Sequence, residues 1–166
     1  REAGIETRGQ GRSYTLAKNY RNSAEILKAA LAIKNSDIES LSTADLQLIG
    51  EAPVTNQLPK IVPCVTEESQ DRALVKLIKS FSSSDIKFGD IAILLPSNKK
   101  LTHYYQLLKN TGIPYQVLKD YNGKTNAQVK IGTYKLSRSL EFKVVLLPDI
   151  SDGTFPARQF RHTADD

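Results

Sequence analysis

The run "IAILL", Ile91 to Leu95, constrains this chain more than any other stretch. Five consecutive apolar residues with no polar alternation cannot form a strand with one wet face. They require cover on both sides, which is the position of a central strand in a parallel sheet flanked by helices. The run ends in "PSNKK". A segment follows with Leu101, Tyr104, Tyr105 and Leu108 at helical spacing, and "NTGIPY" closes it with Gly112 at the C-cap and Pro114 just beyond.

The rest of the chain alternates in the same way. "QVL", "VKIGT" and "KVVLLPDI" read as further strands, and "KIVPCV" reads as another in which Pro63 marks an edge or a bulge. Thr66, with Glu67 and Glu68 behind it, starts a helix whose apolar stripe is Leu74, Leu77, Ile78 and Phe81. Upstream, "SYTL" suggests a short strand. In the following "KNYRNSAEILKAALAIKN", Asn22 and Glu25 have capping-box spacing, and Ile26, Ala30 and Ile33 mark a buried stripe. Residues 35–59 are polar and turn-rich and read as an irregular loop or insertion. The pattern predicts an α/β fold, a mostly parallel sheet flanked by helices, in a single domain over 1–166.

Composition excludes several classes. With 166 residues, 40% of them hydrophobic, the chain can build one ordinary core. No apolar run approaches a membrane span, so no membrane partner is expected. The single cysteine, Cys64, cannot form an internal disulfide and reads as a core filler, and no Cys/His cluster has metal-ligand spacing, so the expected metal set is none. Both features suit a reducing, cytoplasmic compartment. The formal net charge of +5 favours polyanionic partners.

Ligands of open α/β sheets bind outside the carboxyl ends of the strands. Three polar clusters fall at such ends. In "KNYRNS", the tyrosine face of Tyr20 can stack on a base and the planar fork of Arg21 matches phosphate oxygens. The same residues also suit a core tyrosine and a solvated helix-start arginine. In "PSNKK", Ser97 and Asn98 can cap the next helix and expose amides to a phosphate, beside Lys99 and Lys100. In "GTYKLSRSLEF", Thr133, Lys135, Ser137, Arg138 and Ser139 offer hydroxyls and cations suited to a nucleic-acid backbone, or to an ordinary surface loop. Glu141 would be costly to bury unpaired and should meet an Arg, a hydroxyl or a ligand, or else be salt-bridged to a neighbour in a surface loop. His103 and His162 lack partners for nucleophilic or metal chemistry, and no phosphate loop or acidic pair follows a strand.

Three of these stretches, in this order, resemble the C-terminal motor half of UvrD/Rep-type superfamily-one DNA helicases. "LAKNYRNSAEIL" is similar to motif IV, "FGDIAILLPSNKKLTHYYQLLKNTGIPYQVL" to the strand, S-N turn, helix and G-I-P-Y segment, and "VKIGTYKLSRSLEFKVVLLPDISDGTFP" to motif V with its following turn. The resemblance implies a RecA-like second motor domain facing an N-terminal RecA-like domain of the same full-length chain. ATP with Mg²⁺ would sit in the cleft, held mainly by that other domain, and single-stranded DNA would cross the top. It assigns Tyr20 to the adenine, Arg21 to the γ-phosphate as the catalytic residue, and Glu141 to the nucleotide. It assigns Ser97, Asn98, Thr133, Lys135 and Arg138 to DNA. Lys135 stands where the family usually has His, and Arg138-Ser139 where it usually has Lys-Gly; a serine is strained where a glycine adopts positive φ. The large accessory insertion of many relatives is absent. The phosphate loop, the acidic pair and motif VI are also absent, so the resemblance implies a piece cut at both ends and not an active ATP hydrolase by itself. The alternative is a degenerate, non-catalytic RecA-like module that binds DNA or protein.

Overall fold

The computed structural model describes residues 22–35, 42–50, 52–55, 57–124 and 127–151. The chain divides into two compact units, Arg1–Ile61 and Val62–Asp166.

In the first unit, α1 (Ala24–Asn35) packs against α2 (Thr43–Gly50). The latter helix lies within the 35–59 stretch read as irregular. The cap of α1 falls one residue later than expected: Ser23, not Asn22, accepts from the Ile26 amide through its Oγ at 3.4 Å. Glu25 reaches Thr55, accepting from its amide and its hydroxyl, each at 3.1 Å. Ile26 and Ala30 are exposed, so the stripe expected through them is not buried. The strand suggested by "SYTL" lies outside the described residues.

The second unit holds the sheet. Its first helix, α3 (Glu67–Ser82), opens on a capping box between Thr66 and Ser69, each side chain accepting from the other's amide at 3.1 Å. Among the described residues four strands follow: β1 (Ile91–Leu95), β2 (Tyr115–Val117), β3 (Val129–Thr133) and β4 (Val144–Leu146). All pairings are parallel, in the order β2-β3-β1-β4. The α4 helix (Leu101–Asn110) carries the chain from β1 to β2 and ends at Gly112, whose φ of +69° is the left-handed conformation expected there. The long apolar run "KVVLLPDI" yields only the three residues of β4 as strand.

"KIVPCV" is not a strand. Ile61 and Val65 are 88% and 99% exposed, and Cys64 is half-buried instead of filling the core. Pro63 removes a ladder donor, and an apolar run of this length does not by itself specify pairing.

As its composition requires, β1 is central and buried throughout. Its odd residues Ile91, Ile93 and Leu95, with Val129 and Ile131 of β3, meet Leu74 and Ile78 of α3 and Tyr104 and Leu108 of α4. Ala92 and Leu94 point to the other face and pack with Leu118, Tyr121, Tyr134, Leu140 and Phe142.

Candidate nucleic-acid interface

Parallel strands all deliver their following loops to one edge of the sheet. The register sets Leu95 beside Thr133, so β1 and β3 reach that edge side by side. The Tyr134 amide extends the ladder by donating to the Leu95 carbonyl at 3.1 Å. The loops that begin at Pro96 and Tyr134 therefore leave from adjacent strand ends.

After β1, Ser97 adopts an extended conformation and its Oγ accepts from the Lys99 amide at 3.4 Å, capping a short 3₁₀ turn over Asn98–Lys100 that runs into α4. Ser97, Asn98 and Lys99 are exposed. After β3 the chain winds tightly: the Thr133 carbonyl accepts from the amides of Leu136 (3.0 Å) and Ser137 (3.3 Å), and Ser137 Oγ donates to the Tyr134 carbonyl (2.9 Å). This turn leaves Lys135 and Arg138 exposed, whereas Thr133 itself is buried. Ser139 has a φ of +67°, the left-handed conformation a glycine would take. In a serine that conformation carries strain, on the order of 1–3 kcal/mol.

Of the residues assigned to the nucleotide, Tyr20 and Arg21 lie outside the described residues. Glu141 is exposed, so the burial cost expected of it does not arise. Among the described residues no group of three or more His, Cys, Asp or Glu could hold a metal ion.

The acid that is buried at this edge is Asp149, just past β4 and 9% exposed. Its Oδ1 accepts from Lys100 Nζ at 2.9 Å and Gln70 Nε2 at 3.2 Å, and its Oδ2 accepts from the Tyr104 hydroxyl at 2.9 Å. Its amide donates back to Gln70 Oε1 at 3.1 Å while its φ stands at +60°. Burial pushes the Asp149 carboxyl up, but the bonds from Lys100, Gln70 and Tyr104 outweigh it and hold it below the usual carboxylate range. Its partners shift accordingly. The hydrogen bond to Asp149 holds Lys100 above its ordinary value, and burial followed by that same carboxylate drives Tyr104 strongly up. Lys100 also meets Glu67 at 3.0 Å, and His103 Nε2 lies 3.0 Å from Asp71. The network ties the first turns of α3 and α4 to the segment after β4. A lone acid behind an apolar run and a proline, "LLPDI", was the available signal, and the reading of that run as strand concealed it.

An all-parallel sheet with polar loops gathered at its carboxyl edge fits many ligands, and the comparison with known proteins gives the family. Residues 14–123 match the model of the UvrD-like helicase C-terminal domain. The chain belongs to this family. The match takes in the β1 loop, α4 and β2 and ends before β3. Over 110 residues, 63% of its length, this UvrD-like domain is 31% identical to the ATP-dependent DNA helicase HMI1, mitochondrial, of Saccharomyces cerevisiae, and it spans 15% of that protein. That relative is mitochondrial by name, whereas the sequence suggests the cytoplasm. No solved structure matches the chain. Among the described residues no helix is long and apolar enough to cross a membrane.

Proposed function

We propose that this UvrD-like domain is the second motor domain of an ATP-dependent superfamily-one helicase or translocase, and that the loops after β1 and β3 hold single-stranded DNA. The observation that carries the reading is the Leu95–Thr133 register, which sets two polar loops with exposed Lys99, Lys135 and Arg138 on adjacent strand ends. Exposed cations at that edge can neutralise phosphates without reading sequence. Ser97, Asn98 and the Thr133 backbone would contribute positioning contacts.

ATP with Mg²⁺ would be held mainly by a preceding motor domain of the same protein. From this chain Tyr20 would stack on the base, Arg21 would meet the terminal phosphate and Glu141 would face the nucleotide. Mobile closure of the two domains on ATP would then move the strand-holding loops relative to the other domain. Arg21 would act by electrostatic stabilisation of phosphoryl transfer.

The test uses the complete protein. Arg21→Ala should lower DNA-stimulated ATP hydrolysis by about 10³-fold, the smaller effect known for such arginines, with strand binding retained. Lys135→Gln with Arg138→Gln should weaken strand binding and flatten its dependence on salt. Unchanged hydrolysis in the first variant removes the Arg21 role. Unchanged binding in the second leaves the loops structural and favours a module that docks protein.

A further inference from the structure

Lys99 and Lys100 are neighbours in sequence but are committed differently. Lys100 Nζ lies 2.9 Å from Asp149 and 3.0 Å from Glu67, so two carboxylates already neutralise it. Asp149 is the more demanding partner, because it is almost fully buried while Glu67 is half exposed. Giving Lys100 to an incoming phosphate would strip a buried carboxylate of its cation, which costs far more than an exposed contact returns. Successive residues of a 3₁₀ turn point roughly 120° apart, because the turn has three residues. The commitment of Lys100 toward α3 and the segment after β4 therefore directs Lys99 elsewhere. Lys99, Lys135 and Arg138 are all exposed, and no described carboxylate forms an ion pair with any of them.

We infer that the two lysines have opposite roles: Lys99 joins Lys135 and Arg138 as the cations that meet a nucleic-acid backbone, and Lys100 is the internal counter-ion of Asp149 that positions the loop without touching the strand. The inference rests on the strand-binding reading above. It predicts that two substitutions identical in charge, one residue apart, separate cleanly.

The experiment measures binding of the chain to a labelled oligothymidylate across a salt series, together with thermal unfolding. Lys99→Gln should reduce the slope of log affinity against log salt by about 0.7, the single-strand value for one phosphate contact, and leave the unfolding midpoint in place. Lys100→Gln should keep the slope and lower the midpoint, and Lys100→Arg should restore the midpoint with the slope still unchanged. Asp149→Asn should lower the midpoint and leave the slope at least as steep, because it releases Lys100. Equal loss of slope at both lysines, or loss at Lys100→Gln alone, overturns the division of roles while leaving strand binding intact. A parent chain whose affinity shows no salt dependence overturns the strand-binding reading, and the division of roles with it.

Discussion

On one face of the sheet, Ile91, Ile93, Leu95, Val129 and Ile131 meet two helices; on the other, where Lys130 lies beside Ala92, the described residues that pack on Ala92 and Leu94 come from the non-repetitive segments after β2 and β3. The helical face is built from large branched side chains that interdigitate with Leu74, Ile78, Tyr104 and Leu108. Where the loop face carries a glycine, the chain itself comes close. A Cβ built on Gly132 would sit 2.8 Å from Leu118 Cβ. The segment that covers this face, through Tyr134, Leu140 and Phe142, is the one that exposes Lys135 and Arg138 at its surface. The helices thus supply the bulk of the core, while the cationic loop is fixed by the apolar side chains it buries beneath itself.

The sharpest way to break this contrast is to remove the same volume from each face. Ile93→Ala, at a fully buried site between β1 and the helices, should cost about 2–5 kcal/mol, toward the upper part of that range. Leu94→Ala should fall toward the lower part, because loops relax into a cavity more readily than helices pinned along their length. Denaturant unfolding of both variants measures the difference. Equal losses would mean that the loop face is as rigid as the helical one.

A second test adds volume to the loop face instead. Gly132→Ala places a methyl group against the Leu118 side chain, where only a shift of the chain can make room, and should cost roughly 1–3 kcal/mol. The unfolding midpoint in denaturant reads it directly. A variant as stable as the parent would show that the stretch around Leu118 yields, and that the cover of this face is adjustable.

The two faces were unequally legible in the sequence. Ile91 to Leu95 announces a central strand without ambiguity, and the 3.6-residue spacing of Leu74 with Ile78 and of Tyr104 with Leu108 gives the helices that cover it. No local period marks what lies opposite, because Leu118, Tyr121, Leu140 and Phe142 come from non-repetitive segments brought together only by the fold. The same reason hid Asp149: its partners Gln70 and Lys100 lie 79 and 49 residues away. It also drew attention to Glu141, an exposed acid, in place of the buried one. "KIVPCV" misled for the opposite reason, since apolar content alone carries no information about a pairing partner. Residues with local chemistry fared better: Thr66 caps its helix, Gly112 turns left-handed, and Ser139 sits in the positive-φ conformation that strains a serine.

The smallest expected effect concerns a charge buried in the loop face. Lys130 is fully buried on β3; its Nζ donates to the Gln128 carbonyl at 2.7 Å and lies 5.1 Å from the centre of the Tyr121 ring. Burial disfavours the ammonium and lowers its pKa below the ordinary lysine value of 10.5. The unfolded chain therefore binds more protons than the folded one between the depressed folded value and 10.5, so the Lys130 contribution to stability rises with pH across that window. Below it both states are protonated and the cost of burying the charge is constant. Lys130→Met keeps the length and apolar stem of the side chain and removes the charge, so stability at neutral pH should change by less than about 1.5 kcal/mol. The informative quantity is the difference between parent and variant, which cancels every other titrating group. Measured by denaturant unfolding from neutral pH upward, that difference should shift in favour of the parent as pH approaches 10.5. Parallel curves for the two proteins would mean that Lys130 titrates alike folded and unfolded, and that the loop face admits water to its ammonium while the helical face stays dry.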